Sequence, residues 1–506
     1  LNNSKKISYG QVLKSSALIG GSSLVTLVLR MIRSKVIALL LKEKGLGLLG
    51  LYNPVSDLTR TIAGLGINIS GVRQIAETVQ KGDAAQIART VTALRRLSFL
   101  SGSLGAILLV ILCRPVSWLT FGDYDHARSV ALLGVSVFFL DVSAGQAALV
   151  QGMRRIADLA RMNVWGAVYG TVLTIPIIYL MGDRGVVPSL VCVGGMGILT
   201  SWWYARKVTV ERVRMTWRDI YGEAAILLKL GIVFMASGLF AMAAAWMIPA
   251  IIRHKLGLAN VGYYAAAWGL SGFGVNFILQ AMGTDFYPRL TGVAGDHPEC
   301  NRLVNEQVEI GLLIGGPGVL AMLSFAPFLM EVFYSKRFGP AAATFSWICA
   351  GMFIRVVSWP LGFVIMAKGE QKLFFWIELL GNTAWAGLAW VGVQMFNLEG
   401  AGMAFFAIYL CHLTALHFIV RHLTGFRWSA ANLRLGALFA PLVGLVFAAR
   451  FVMGAIPAML VGGMVTVGIG IYSLKVLCTL IPLQKLPLLA QKLLVFFRMA
   501  SFDTAA

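Results

Sequence analysis

Arg30, Arg33, Lys35, Asp57 and Arg60 sit inside two long apolar runs separated by the short charged segment Lys42–Gly45. A charged side chain at the centre of a membrane-crossing helix costs about 2.5–3.5 kcal/mol on insertion scales, so such residues are retained for a purpose. In the second run the polar or small positions Asn53, Asp57, Arg60, Gly64 and Asn68 recur at intervals of four, three, four and four. That spacing predicts a single helix face. The first run places Ser15, Ser22, Thr26, Arg30 and Arg33 on one face in the same way. At about 1.5 Å per residue, Arg30 and Asp57 each lie roughly 16 Å from the charged segment. Neighbouring antiparallel helices would then bring Arg30, Asp57 and Arg60 into one cluster, with Arg33 and Lys35 shallower and able to snorkel to the outer surface. Planar guanidinium forks match phosphate oxygens, and the chemistry expected of this cluster is recognition of an anionic group such as a diphosphate. The bland alternative is an ion pair between Asp57 and Arg60 that merely holds helices together.

The elements that position these residues are membrane spans. Of 506 residues, 58% are hydrophobic and 13% charged, and mean hydropathy is +0.77. Soluble domains carry about a quarter charged residues. Fourteen apolar stretches are long enough to cross a bilayer, at about 11–41, 46–78, 87–112, 127–152, 159–181, 185–205, 224–252, 258–288, 302–330, 341–367, 372–396, 400–420, 435–453 and 456–481. The N-terminal run is read as a first span rather than a cleaved leader. The 482–498 segment is read as either an interfacial helix or a frayed end. The net charge of +21 is dispersed through short loops, which argues against nucleic-acid binding. Lys and Arg alternate between rich and poor ends of the spans, and this bias places both termini in the cytoplasm.

A repeat divides the chain. GLGLLGLY from Gly45 matches GLANVGYY from Gly257, and RPVSWLTF at Pro115 matches APFLMEVF at Pro327, both at an offset of 212 residues. The expected organisation is all-α: a first lobe at 1–206, a basic linker at 207–218, a second lobe at 219–420, and two further helices with a tail at 421–506. Six-helix halves have parallel topology with a cavity between them, which favours alternating-access transport. The second half keeps polar residues at the matching stripe, Asn276 and Gln280. It replaces Arg30, Arg33, Asp57 and Arg60 by Met242, Ala245, Gly269 and Gly272, retaining Arg253 near the outer end. The cationic wall is therefore expected on the first lobe, lined by Asn53 and Asn68 as well.

Further embedded ionisable residues are Asp141, Asp285, Glu309, Arg355 and Glu378. Asp57, Asp141 and Glu378 are the candidates for ion coupling, because carboxylates near arginines can exchange protons as their partners come and go. Asp141 would face the cavity with Gln146 and Gln151. The six cysteines are scattered without a CxxC pair and read as small buried hydrophobes. His412 and His417 are five apart, a poor metal spacing on a helix. No nucleotide-binding, zinc or hydrolase motif occurs at a recognisable spacing, so neither cofactor, metal nor catalysis is read.

The stretch from Tyr9 to Glu77, with the later GLANVGYYAAAWGLSGFGVNFILQAMGTDFYPRL, resembles the polysaccharide transporters of the multidrug/oligosaccharidyl-lipid/polysaccharide exporter superfamily. It is most similar to Wzx-type lipid flippases of O-antigen and enterobacterial common antigen. The resemblance implies a multi-pass protein of the bacterial inner membrane with a V-shaped, cationic cavity. It implies transfer of an undecaprenyl-diphosphate-linked oligosaccharide between leaflets, with coupling to a proton or sodium gradient and polysaccharide polymerase machinery as a partner. By the same resemblance the first-helix arginines meet the diphosphate, and the two extra helices, absent from twelve-helix relatives, would form a groove for the lipid tail. A drug or organic-ion antiporter of the superfamily is the alternative, disfavoured by the excess of cations. A membrane polymerase or ligase would need a long catalytic loop, which the sequence lacks, and an assembly protein would not need charges in mid-membrane.

Overall fold

The computed structural model describes the backbone of residues 2–208, 213 and 215–480; within these, the side chains of some residues, Asn276, Gln280 and Asp285 among them, are not described. The described residues are helical almost throughout, as the composition requires: in hydrocarbon each backbone N–H and C=O must be satisfied within its own segment. Among the described residues, nine helices are long and apolar enough to cross a membrane. The protein is a multi-pass membrane protein. The tail read as interfacial or frayed lies outside the described residues.

Two compact units form. The first comprises Leu1–Ala266 with Glu331–Phe338 and Glu378–Leu398. It opens with α1 (Asn2–Gly64), two helical limbs joined at Lys42, whose φ of 58° and ψ of −156° leave the helical region where the charged segment predicts a hinge. Then follow α2 (Ile67–Lys81), α3 (Ala84–Ile111), α4 (Cys113–Phe121), α5 (Ala127–Gly152), α6 (Ile156–Met181), α7 (Val186–Ala205) and α8 (Trp217–Leu256). The span expected at 46–78 is not continuous. Leu65 and Gly66 both take left-handed backbone conformations, at φ 47° and 66°, and separate α1 from α2. Periodicity alone does not register such a break, because each side of it stays apolar. The stripe from Asn53 therefore does not run on to Asn68 as one helical face.

The break serves packing. A Cβ on Gly66 would lie 2.1 Å from the carbonyl oxygen of Gly231, so α2 enters directly against the backbone of α8. Beside this contact the Gln74 and Gln86 amides donate to the Glu223 carboxylate at 3.3 and 2.8 Å. The opposite end of α8 is tied to α4: Trp246 Nε1 donates to Thr120 Oγ1 at 3.0 Å, and His254 Nε2 lies 2.8 Å from the Leu119 carbonyl oxygen. At the first of these ends lies an apolar core that includes Ile75, Leu94, Leu149 and Leu227, the last one turn from Glu223.

The second unit comprises Ala267–Met330, Gly339–Ile377 and Glu399–Ala506. It holds most of α9 (Leu258–Gly292), α10 (His297–Ser324), most of α11 (Ala326–Phe333) and α12 (Ala341–Ala367). It also holds the later limb of α13 (Gln371–Thr424), α14 (Ala430–Val452) and α15 (Ala455–Leu480). The limbs of α13 join at Phe396 and Asn397, which leave helical geometry. Hydropathy does not distinguish the short helices α4 and α11 as separate elements, yet they fall on the two copies of the repeated Pro115 and Pro327 segments. Asn305 anchors the segment between α13 and α14: its Nδ2 donates to the Arg427 carbonyl at 3.1 Å and its Oδ1 accepts from Ser429 N at 2.8 Å. Phe286, Leu361, Val420 and Phe426 fill the core beside it.

His126, at the start of α5, stacks on Phe121 at a 4.1 Å centroid distance, and its Nδ1 lies 2.9 Å from Tyr52 Oη. Burial, aided by Arg253 and opposed by Asp123 and Asp125, holds the His126 pKa below its ordinary 6.5. The unfolded chain then binds the proton more readily than the folded one. The contribution is complete above about pH 6.5 and declines as pH falls through that value toward the lower folded pKa. Thermal melting of the detergent-solubilised protein should therefore fall between pH 7.5 and 5.5. The fall should be smaller in His126→Phe; an equal fall in both would show that other groups carry it.

Candidate functional site

The structure gathers a carboxylate–guanidinium triad in the first unit. The later limb of α1 packs on α3 and α5. In this packing Arg60 Nε donates to Asp141 Oδ1 on α5 at 3.2 Å, while Arg60 Nη1 is 3.7 Å from Asp57 Oδ1 one turn back. The Asp141 side chain is 2% exposed, that of Arg60 29% and that of Asp57 55%. Asp141 Oδ2 is buried with no hydrogen-bond partner. Two carboxylates surround one cation, so the group carries a negative balance when both are ionised. Asp57 keeps its exposed face, and Asp141 holds an unfilled acceptor in a buried place.

Arg30 is not part of the triad. The early limb of α1 packs instead on α6, where Thr171 Oγ1 approaches the Leu29 carbonyl at 3.4 Å. Arg33 lies in the slot left by Gly170: a Cβ there would sit 2.8 Å from Arg33 Nη1. Arg30, exposed, is close enough to Arg33 to repel it. Among the described residues neither arginine has a carboxylate within ion-pair distance. Distance from the hinge puts Arg30 and Asp57 at one depth but carries no information on the direction each limb faces, and the limbs take different neighbours.

The other expected residues are placed as follows. Lys35 is exposed, and its Nζ donates to the Val332 carbonyl at 2.6 Å, at the C-terminal end of α11 where orphan carbonyls favour a cation. Asn53 is exposed. Asn68 Oδ1 accepts from Ser98 Oγ at 3.4 Å, and Gln146 Oε1 accepts from Ser201 Oγ at 2.6 Å. Arg253 pairs with Asp123 at 3.4 Å near the C-terminal end of α8. Glu378 Oε2 accepts from Asn382 Nδ2 at 3.0 Å. Asn276 and Gln280 belong to α9, but their side chains lie outside the described ones, as does that of Asp285.

A second feature lies in the second unit. Helices α10, α12, α13 and α14 enclose a groove of about 700 Å³, walled by Leu312, Ile354, Val357, Leu410, Leu413 and Val443. Its lining is almost wholly apolar, the composition an alkyl or isoprenoid chain requires. The sequence identifies α14 as an appended helix but gives no means of seeing which helices it meets.

The family profile of polysaccharide biosynthesis proteins matches residues 36–343. The lipid III flippase of Escherichia coli (strain K12) is 21% identical over 412 residues, covering 79% of this chain and 96% of the relative. The lipid III flippase of Shigella flexneri matches to the same extent. Among solved structures, the inward closed conformation of the lipid II flippase MurJ superposes with a TM-score of 0.64 at 10% identity, covering 91% of this chain and 99% of that one. An inward-facing multidrug resistance MATE family transporter of the MOP superfamily gives 0.63 at 16% identity, covering 79% and 95%. At these identities the superpositions establish a shared fold.

Proposed function

Because this chain belongs to the polysaccharide biosynthesis protein family and has the fold of MOP-superfamily transporters, we propose that it is a flippase for lipid-linked oligosaccharide. Its substrate is an undecaprenyl-diphosphate-linked repeat unit of O-antigen or exopolysaccharide type, moved between leaflets of the inner membrane by alternating access. Both termini face the cytoplasm. The protein is a transporter and not an enzyme.

The observation that carries the reading is the pair Arg30 and Arg33. Two cations without carboxylate partners among the described residues, lodged on one limb inside the membrane, suit a dianionic headgroup better than an organic cation. Lys35 adds charge toward the outer end, where Arg253 is paired with Asp123. Arg60 takes a different role from the one the sequence suggests. Neutralised by Asp57 and Asp141, it serves ion coupling with them, and diphosphate recognition falls to Arg30 and Arg33. The free Asp141 Oδ2 is where a proton or sodium ion is held. The apolar groove in the second unit supports accommodation of the lipid tail. Polysaccharide polymerase machinery is the partner that would receive the product.

Liposomes carrying the purified protein and a fluorescent undecaprenyl-diphosphate sugar test this reading. Leaflet transfer should exceed that of protein-free liposomes, and the Arg30→Ala/Arg33→Ala double variant should lose about tenfold or more of the rate, the scale of one or two charge-assisted hydrogen bonds. Transfer no faster than in empty liposomes, with or without an ion gradient, would refute the proposal. Transport of an organic cation in its place would favour the antiporter reading.

A further inference from the structure

Arg355 stands near the middle of α12, fourteen residues from its start and twelve from its end. It is half-buried, and among the described residues no carboxylate lies within ion-pair distance of it. Its guanidinium lies 4.8 Å from the ring centre of Trp359 and 5.6 Å from that of Tyr409. Trp359 follows one turn later on the same helix. Tyr409 and His412, on the later limb of α13, pack edge to face with ring centres 5.8 Å apart. The one hydrogen-bond contact the guanidinium makes with a described side chain is Nη1 to Met352 Sδ at 3.9 Å, a weak acceptor.

The unpartnered polar atoms of this cluster can each donate. Arg355 Nε, Trp359 Nε1 and His412 Nδ1 are each buried without a hydrogen-bond partner. Arginine and the indole can only donate, and the imidazole nitrogen donates in one tautomer. Aromatic faces offset part of the guanidinium charge, but they supply no acceptor for its N–H groups. Two other half-buried cations meet that need: Arg60 has Asp141, and Arg450 bonds to Ser346 Oγ and the Ala342 carbonyl. At Arg355 a half-buried cation and the unpartnered N–H groups beside it lack an acceptor among the described side chains.

We propose that Arg355, Trp359 and His412, with Tyr409 packed beside them, form a second substrate subsite that takes an anionic oxygen group, phosphate or carboxylate, carried by the glycan headgroup. The inference rests on the flippase reading and adds to it an anion site within the second unit. The site is charge-selective, and it favours headgroups bearing phosphate or a uronic acid over neutral ones. Aromatic faces around the cation suit the apolar face of a sugar ring next to the charged group.

The test uses the full chain in nanodiscs of zwitterionic phosphatidylcholine, which carry no net anionic lipid. Tryptophan fluorescence is titrated with inorganic pyrophosphate, with D-glucuronate and with neutral D-glucose. In wild type, at least one anionic probe should bind more tightly than glucose. Preference for pyrophosphate identifies the phosphate as the group held, and preference for glucuronate identifies a sugar carboxylate. Arg355→Gln should weaken the preferred anion by about tenfold or more, the loss of one charge-assisted pair, and leave glucose unchanged. Arg355→Lys, which keeps the charge and loses the fork, should fall between. Should Arg355→Gln not yield monodisperse protein, Arg355→Lys and Trp359→Phe carry the same comparison. Anion affinity unchanged in these variants, or an equal loss for glucose, overturns the subsite. Leaflet transfer by wild type, measured in parallel, separates the two readings: transfer that persists beside unchanged anion binding rejects this subsite alone, and absent transfer rejects the flippase reading.

Discussion

Arg60→Ala should be the most damaging single change in the first unit, lowering stability by about 3–5 kcal/mol, the usual cost of leaving a buried charge without its partner. Asp141 is 2% exposed and one of its oxygens is already unpaired. Without Arg60 its carboxylate would have no described cation to answer it. Asp141→Asn should cost less, since an amide oxygen still accepts from Arg60 Nε and Asp57 remains beside the guanidinium. The double variant Arg60→Ala/Asp141→Asn should therefore melt above Arg60→Ala, a coupling that additive sites do not show. Melting of the purified variants by intrinsic fluorescence checks the order, and additive losses would mean the pair is not energetically linked. In the transport assay both single variants should lose gradient-driven transfer. A variant that retains it would remove the triad from ion coupling while leaving its structural role intact.

Gly66→Ala should be the second severe change. Gly66 has a φ of 66°, a region that costs a residue with a Cβ about 1–3 kcal/mol. The added carbon would also lie 2.1 Å from the Gly231 carbonyl oxygen, and backbone cannot swing aside as a flexible side chain can. Both penalties fall on the junction where α2 meets α8, next to the Gln74, Gln86 and Glu223 contacts. Gly64→Ala is the matched control: no atom lies within 4 Å of its Cβ position. Alanine there should be neutral or slightly stabilising, since it lowers the entropy of the unfolded chain. Equal melting temperatures for the two variants would mean that the close approach at Gly66 relaxes at little cost.

Charge distribution links these expectations to function. Over the first two helices of each half, the repeat copies place the cations on the first half. Those two helices do not include α12, where Arg355 supplies the second unit with a cation that has no carboxylate partner among the described residues. Sequence position also offers Arg60 one carboxylate, Asp57 a turn away, whereas packing adds Asp141 as a second. Both differences concern the same missing quantity, which is who neighbours whom once helices pack.

Much of this protein follows from the sequence by itself. Hydrocarbon admits only internally bonded backbone, so apolar runs of sufficient length determine an all-helical, multi-pass chain. A charged interruption such as Lys42–Gly45 marks where one limb must end. The rarity of charge in such runs is enough to single out Arg30, Arg33, Asp57, Arg60, Asp141 and Arg355. The tertiary structure decided the rest. Helical periodicity states which residues share a face but not which helix that face meets, and ion pairing is a property of the meeting. Hence Arg60 joins Asp141 across 81 residues of chain, Arg33 turns to Gly170, and Arg355 is left among aromatic rings. The break at Leu65 and Gly66 has the same origin. Its left-handed backbone is offset by contact with Gly231, a residue that no local spacing could have brought to it.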